Sequence, residues 1–391
     1  LDRNYSSIII FALMLSIVEF IRGTILGGFP WNLIAYTWTK YTDFLQILTF
    51  IGTYSFNLLS ITLFLAPAAI FFHKSLRSKI ILIIFLIFLM GTNFYYGKNV
   101  KNNYNKAQKI DLDTTIKIIS PKIKIDRFFQ NEDPSIIIDE LIKLSEPGLE
   151  STIFVFPEGI LTSIFLEDIH NYKNFFKDSF LDNHKILLGI NSNENSKIYN
   201  SMVVLDNNLN ILSKYNKNKL VPFGEFLPFE NIFSKIGLKK ITQGYVSFSS
   251  SNDRKILQIN NIKFLPLICY EIIYSGKLNK SGEEFDFIIN ISEDGWFGHS
   301  IGPHQHFSHS IFRSIEEGKN LIRSTNGGIS AYIDATGKVI NKIKSTDKGV
   351  IEVKSYKKTS KTFFSTQGNK IFFYFLFFYI ILIFFIKKRG R

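Results

Sequence analysis

Four stretches of the chain are apolar and free of charge. Residues 371–386 (IFFYFLFFYIILIFFI) form sixteen apolar residues without a break. Residues 44–72 and 80–96 contain no charged side chain, and a fourth run, 5–18, closes at Glu19 and Arg22. A helix needs about 17–25 apolar residues to cross a bilayer. The runs at 44–72 and 80–96 meet that length, and 371–386 meets it with the snorkelling stems of Lys370 and Lys387. A single run reads equally as a buried core helix. Four runs with basic flanks read as membrane spans near 5–22, 44–72, 80–96 and 371–386. The first lacks the basic start and small-residue cleavage site of a signal peptide.

Between the third and fourth spans the period changes. Strand-like runs occupy 115–120, 152–158, 185–191, 200–206, 263–271, 286–292 and 329–335. Helix signals lie between some of them. Asp133-Pro134 ahead of SIIIDELIKL supplies an N-cap and a proline at the first helical position, and residues 303–320 close on Gly318. This alternation predicts an α/β domain. The Lys/Asn-rich segment 98–109 reads as a tether leaving the membrane.

Charge orients the spans. The loop HKSLRSK after the second run holds Lys74, Arg77 and Lys79, and the chain ends in KKRGR. Both clusters belong on the cytoplasmic side. One crossing separates each of them from the block 97–370, which therefore lies on the opposite, periplasmic face together with the loop 23–43. The expected domains are a transmembrane helical region (1–96), a periplasmic catalytic domain (97–370) and a final span with a basic cytoplasmic tail (371–391). The net charge of +13 then loses its suggestion of nucleic acid, because the block 97–370 carries 36 Lys/Arg against 30 Asp/Glu.

Composition removes further classes. One cysteine, Cys269, excludes a disulfide scaffold and a Cys-rich zinc site. A hydrophobic fraction of 46% excludes disorder. His304, His306 and His309 lie within six residues, but no nearby cysteine joins them, and no metal or cofactor is expected.

Three segment ends carry reactive groups: Glu158 after TIFVFP, Lys217 in SKYNKNKLVPFGEF, and Cys269 in FLPLICYE. A sulfur nucleophile needs a base to form thiolate and a cation to hold developing negative charge. Glu, Lys and Cys are that set. Singly, each also reads blandly: an inert core cysteine, a loop glutamate, a solvated lysine.

The words around them, in this order, resemble the carbon–nitrogen hydrolase (nitrilase) superfamily, and their spellings resemble the apolipoprotein N-acyltransferase family within it. They are Lys217-Asn218-Lys219-Leu220-Val221-Pro222-Phe223-Gly224-Glu225, Cys269-Tyr270-Glu271, Asp294-Gly295-Trp296-Phe297-Gly298, Gly302-Pro303 with Gln305-His306, and Arg323 to Gly328. Arg22-Gly23 with Gly28-Phe29-Pro30-Trp31 adds to them. The resemblance spans residues 19–334. It implies a four-layer α-β-β-α sandwich inserted between transmembrane helices. It also implies transfer of a phospholipid acyl chain, from phosphatidylethanolamine above all, to the N-terminal amine of a diacylglyceryl-cysteine lipoprotein at the bacterial inner membrane. By the same resemblance Cys269 is the nucleophile, Glu158 the general base and Lys217 the oxyanion cation. Glu225 and Glu271 match two further essential acids, and Tyr270 places its N–H beside the oxyanion. Trp31, Phe223, Phe226 and Trp296 lie in loops suited to lipid. Two departures stand out: Glu293-Asp294 where the family commonly has Asn-Asp, and Asn326-Gly327-Gly328 where it commonly has Asn-Asn-Gly. The family generally carries more helices ahead of the domain, and the chain starts at Leu1 rather than Met, so preceding sequence is expected to be missing. The rival readings are an anchored amidase or nitrilase for a small soluble substrate and a non-catalytic membrane scaffold. Glu271 and the Gly-Phe-Pro-Trp loop favour the acyltransferase over the first, and the intact Glu–Lys–Cys set argues against the second.

Overall fold

Asp133 does what its position predicts: its carboxylate accepts the Ser135 N–H at 2.9 Å and opens a helix at Pro134. Such local agreement recurs through a computed structural model that describes residues 5–72, 75–130, 132–228, 247–252, 254–276, 278–279 and 282–389. Its principal helices are α1 (Tyr5–Thr24), α2 (Leu48–Phe72), α3 (Leu76–Lys106), α4 (Pro134–Ser145), α5 (Lys173–Ser179), α6 (Gly302–Glu317), α7 (Phe363–Gln367) and α8 (Lys370–Arg389). Its strands are β1 (Lys109–Ser120), β2 (Thr152–Val155), β3 (Leu161–Phe165), β4 (His184–Glu194), β5 (Lys197–Leu205), β6 (Ile211–Asn216), β7 (Leu257–Ile259), β8 (Ile262–Ile268), β9 (Phe287–Glu293), β10 (Asn320–Asn326), β11 (Ser330–Ile333), β12 (Val339–Ile343) and β13 (Gly349–Lys357).

The strands build two sheets. One runs β13-β1-β2-β4-β5-β6 with β3 beside β4, and the other runs β12-β11-β10-β9-β8-β7. Parallel pairs occupy the centres, β1-β2-β4 in one and β8-β9-β10 in the other. Strands buried on both faces read as continuous apolar runs, as TIFV and FIINIS do. Ile116, Ile118, Ile153, Val155 and Leu187 of the first sheet meet Phe264, Ile268, Phe287, Ile289 and Ile322 of the second. The alternate residues Phe154, Ile186 and Leu188 face outward onto Ile137, Ile138 and Leu141 of α4. The result is the α/β nitrilase-type sandwich that the sequence led us to expect.

The outer face of the second sheet is covered by α6, and α6 is covered by the membrane helices. Leu265, Leu321 and Ile333 of the sheet, Phe312 and Ile315 of α6, and Leu13, Ile51, Tyr54 and Phe372 of the long apolar helices form one cluster. The segments Ser6–Thr24, Leu48–Phe71, Leu76–Lys106 and Lys370–Lys387 are long and apolar enough to cross a membrane. On α3, Ile81, Ile84, Ile87 and Phe88 are exposed, and on α8, Phe373, Phe377, Phe378 and Phe384. Apolar patches of that extent face lipid rather than water.

Three local expectations are corrected. Segment 98–109 is not a loose tether: α3 continues to Lys106 and β1 begins at Lys109. Lys101 pairs with Asp43 at 2.7 Å, and Lys357 Nζ donates to the Asn105 carbonyl at 2.6 Å, so those last turns have partners. The run 44–72 is not one helix, since α2 starts at Leu48 and breaks at Gly52. Cys269 does not lie within a strand, because β8 ends at Ile268. Of the basic flanks, His73, Lys74, Gly390 and Arg391 lie outside the described residues.

Gly52 has φ 70° and ψ 175°, a conformation essentially confined to glycine. A Cβ there would sit 1.9 Å from the Phe364 ring of α7. Gly52→Ala is expected to cost about 1–3 kcal/mol from backbone strain alone, read as a lower unfolding temperature in detergent. An unchanged temperature would show that the break is not required.

Candidate active site

Every group of the predicted set sits just past a strand, at the edge where α/β sheets place their ligands. Glu158 follows β2. The Phe156 N–H bonds the Leu187 carbonyl at 2.8 Å and the Gly189 N–H bonds the Pro157 carbonyl at 3.2 Å, which draws Pro157-Glu158 against β4. Gly189 permits that approach, because a Cβ there would lie 2.5 Å from the Glu158 Cα. Lys217 follows β6, its N–H bonded to the Asn200 carbonyl at 2.8 Å. Cys269 follows β8 and opens a turn of 3-10 helix with φ +49°. A left-handed backbone is unfavourable for a cysteine and persists only where surroundings impose it.

Four side chains meet here. Lys217 Nζ donates to Glu158 Oε1 at 3.0 Å and to Glu225 Oε1 at 2.8 Å. Asn200 Nδ2 donates to the same two oxygens at 2.7 and 2.9 Å. The second Glu158 oxygen accepts the Glu293 N–H at 2.9 Å. Lys217 is 1% exposed and Glu158 6%, so this is a desolvated ion cluster. Burial by itself would lower the Lys217 ammonium, but the Glu158 and Glu225 carboxylates carry it well above its ordinary value. Cys269 lies within the electrostatic reach of Glu158, Lys217 and Asp294. Burial and the Glu158 anion push its thiol well up, against the pull of Lys217. The resting pair is therefore a neutral thiol beside a cationic lysine.

Glu271 ties the site together. Its Oε1 accepts from the Tyr215 hydroxyl (2.7 Å), the Asn218 N–H (3.0 Å), the Lys219 N–H (3.1 Å) and Arg254 Nη2 (2.7 Å). Its Oε2 accepts the Ile268 N–H at 2.9 Å. One fully buried carboxylate thus joins the residue before Cys269 to the residues after Lys217. Burial would raise it, but Arg254 and these donors hold it below the ordinary carboxylate value. Glu225 also fastens its own loop, accepting the Val221 N–H at 2.8 Å.

Among the expected loop residues, the Tyr270 hydroxyl donates to the Gly28 carbonyl at 2.7 Å, which fastens the Gly-Phe-Pro-Trp loop to the cysteine turn. Trp31 Nε1 donates to Gln305 at 2.9 Å, and its ring lies 5.4 Å from that of His306. Phe223 is exposed with φ +63°, and its N–H bonds the carbonyl of the half-buried Phe226 at 2.8 Å. Trp296 is exposed and packs 4.8 Å from the Phe128 ring.

Sequence reasoning assigned no role to a second buried network. Asp294 accepts from Ser292 Oγ at 2.7 Å and Arg323 Nη2 at 2.8 Å, and its Oδ1 lies 2.8 Å from His306 Nδ1. His306 Nε2 lies 3.3 Å from the Cys269 carbonyl oxygen. Burial opposes ionisation of Asp294, but Arg323 and His306 hold its carboxyl far below the ordinary range. Asp294, His306 and Arg323 stood in the recognised words, so the signal was present without its meaning. Tyr215 stood just ahead of Lys217 in the recognised words without its meaning, and Asn200 and Arg254 carried no signal at all. The two family departures prove to be neighbours: a Cβ on Gly327 would come within 2.7 Å of the Gly295 Cα, and Glu293 beside it is paired to Arg127 and Asn326. A backbone this close leaves no room for a larger residue at 327 without a shift in the 293–295 turn.

Residues 1–66 match the model of the apolipoprotein N-acyltransferase N-terminal domain, and residues 180–356 match that of carbon-nitrogen hydrolase. The second match includes Lys217 and Cys269 but begins after Glu158, which is placed by geometry. The chain is 30% identical to the apolipoprotein N-acyltransferase of Rickettsia prowazekii over 369 residues, covering 92% of this chain and 73% of that one. It is 31% identical to that of Rhizobium rhizogenes (82% and 62% covered) and 30% identical to that of Brucella melitensis (88% and 66% covered). The chain thus spans about two thirds of the length of these relatives.

The electrostatics predict how the thiol reacts. Alkylation by iodoacetamide is expected to accelerate still above about pH 9, where a free cysteine, ionising near 8.5, is levelling off. Glu158→Gln removes an anion that raises the thiol and moves the rise to lower pH. Lys217→Met removes a cation that lowers it and moves the rise higher. Intact-mass kinetics across pH check both signs; a plateau below neutrality, or shifts in the reverse sense, would contradict the cluster's charge state.

Proposed function

The chain belongs to the apolipoprotein N-acyltransferase family, and from that premise we propose that it moves an acyl chain from a membrane phospholipid, through a thioester on Cys269, to the N-terminal amine of a diacylglyceryl-cysteine lipoprotein. Phosphatidylethanolamine is the proposed donor. The observation that carries this reading is the buried cluster of Glu158, Lys217 and Glu225 beside a cysteine held at positive φ, on a sandwich whose core continues into apolar helices.

The chemistry runs in two halves. Because the resting thiol keeps its proton, attack and deprotonation are coupled: Glu158 takes the proton as sulfur bonds to the sn-1 ester carbonyl carbon. An ammonium has three N–H donors. Two are engaged by Glu158 and Glu225, and the third serves the oxyanion, together with the Tyr270 N–H. Collapse breaks the ester C–O bond, and the departing lysophospholipid oxygen takes the proton from Glu158. In the second half the lipoprotein amine attacks the thioester, Glu158 accepts its proton, and collapse expels the sulfur, which is reprotonated. An α-amine ionises near 7.7–8.0, so a usable share is neutral at physiological pH. Phe29, Trp31 and Phe297 pack in sequence, Phe29 also against Tyr270 of the cysteine turn, and this apolar group favours amine over water there.

Both substrates are membrane-held, and the arrangement of the helices supports a matching orientation. The ends at Thr24, Leu48, Lys106 and Lys370 lie toward the sandwich, with Phe20 and Phe372 stacked at 4.8 Å. The opposite ends carry the basic clusters. Positive charge inside supports an orientation with Cys269 on the periplasmic face of a bacterial inner membrane.

Incubation of the protein with phosphatidylethanolamine vesicles is expected to add the mass of one acyl chain at Cys269, and later addition of a diacylated lipopeptide to remove it. Cys269→Ala is expected to lose transfer by about 10⁴-fold or more, the scale seen when a nucleophile is removed. Undiminished transfer by that variant would sink the mechanism. Turnover of small amides with no phospholipid-derived adduct would favour an anchored amidase.

A further inference from the structure

Two carboxylates share one ammonium at the centre of this site, and a neutral residue outside the recognised words completes the arrangement. Asn200 lies in β5, whose ladder with β6 pairs Ser201 with Asn216. One step further, the Lys217 N–H bonds the Asn200 carbonyl at 2.8 Å. This register sets the Asn200 amide beside the Lys217 ammonium. Asn200 Nδ2 has two N–H bonds; one reaches Glu158 Oε1 at 2.7 Å and the other Glu225 Oε1 at 2.9 Å. Lys217 Nζ reaches the same two oxygens at 3.0 and 2.8 Å. The four atoms form a closed ring in which each carboxylate oxygen accepts once from a cation and once from an amide.

We propose that Asn200 is a positioning residue for the acyl transfer inferred above, one that holds the Glu158 and Glu225 carboxylates together on a single lysine. Two buried carboxylates sharing a site repel, and one of them tends to take a proton. A proton on Glu158 would abolish its capacity to accept the one from the thiol. Lys217 offsets one negative charge. The second is held by hydrogen bonds, and donors to an ionised group are worth far more than donors to a neutral one. An amide supplies two such donors without adding a charge, so Lys217 keeps its third N–H for the reacting oxygen. The groups facing this ring are Glu158, Glu225 and Lys217 themselves, with Cys269 next to them and Asp294 next to Cys269. Beyond these, Glu293 is pushed up to about 7 by burial against the pull of Arg127, and Arg323 and His306 flank Asp294.

The inference rests on the thioester reading, so the experiment measures thioester formation on Cys269 in a single turnover with phosphatidylethanolamine vesicles, by intact mass, across pH. The unsubstituted full chain is expected to form the adduct with an acid limb. Asn200→Leu, close in size but without donors, is expected to move that limb upward by about 1–2 pH units, the scale of one hydrogen bond to a charged group. Asn200→Asp, which adds a third carboxylate, is expected to move it further. In a Glu225→Gln background the crowding is gone, and Asn200→Leu is expected to move the limb by less than half as much. Because Glu293 is common to all variants, its titration cancels in the comparison. Asn200→Ala carries the same expectation if the leucine variant does not insert. Absence of any adduct in the unsubstituted protein would overturn the thioester reading. An adduct there, with Asn200 variants whose profiles superimpose on it after scaling, would overturn the role of Asn200 alone.

Discussion

A lysine ammonium without solvent is the constraint on which the rest of the site depends. Burial on that scale costs a lone cation several kcal/mol, so Lys217 exists there only because Glu158 and Glu225 exist beside it. Those carboxylates in turn need donors, which Asn200, the Glu293 backbone and the Val221 backbone supply. Each partner comes from a different strand or loop. The cluster therefore assembles only when β2, β5, β6 and β9 are in register, and chemistry is coupled to correct folding. Glu271 works by the same principle one layer away: its carboxylate is buried, paired to Arg254, and shared among backbone N–H groups that would otherwise be free to separate Lys217 from Cys269.

The sandwich and the membrane helices are not two bodies joined by a tether. The second sheet has two apolar faces, and α6 covers the outer one. The apolar helices in turn cover α6, so that Leu321, Ile315, Tyr54 and Phe372 belong to one core. The polar junction follows the same route. Glu316 of α6 accepts the Thr53 N–H at 2.6 Å just where Gly52 breaks α2, and also accepts from Ser275 at 2.7 Å. A carboxylate at the N-terminus of the second half of α2 is favourable there for its unpaired N–H groups and for the helix dipole. The break in the membrane helix and the end of the cysteine turn are thereby held by the same side chain.

Much of this was legible in advance. The apolar runs announced helices, the Asp-Pro and terminal-Gly signals announced α4 and α6, and the β-branched runs announced the inner strands. Glu158, Lys217 and Cys269 could be picked out because their chemistry is complementary and they end apolar segments. Less legible were the outer strands β12 and β13, where VINKI and GVIEVKSYK alternate polar residues on one exposed face. The tether expectation failed because Lys and Asn are compatible with a helix once Asp43 and Lys357 meet it. Asn200 was invisible, since one asparagine in NSMVVLD looks like any other strand residue.

Sequence alone determined what depends on near neighbours: where helices begin, which runs are apolar enough for lipid, which residues can exchange protons. These follow from spacing of one to seven residues and from side-chain chemistry, and both are written in the chain. Tertiary structure decided which of those residues meet. Asn200 with Glu158, Glu271 with Arg254 and with the Ile268 N–H, and His306 near the Cys269 carbonyl are matters of strand register and crossover. No local pattern encodes them, because they join elements that are adjacent in space only after two sheets have packed.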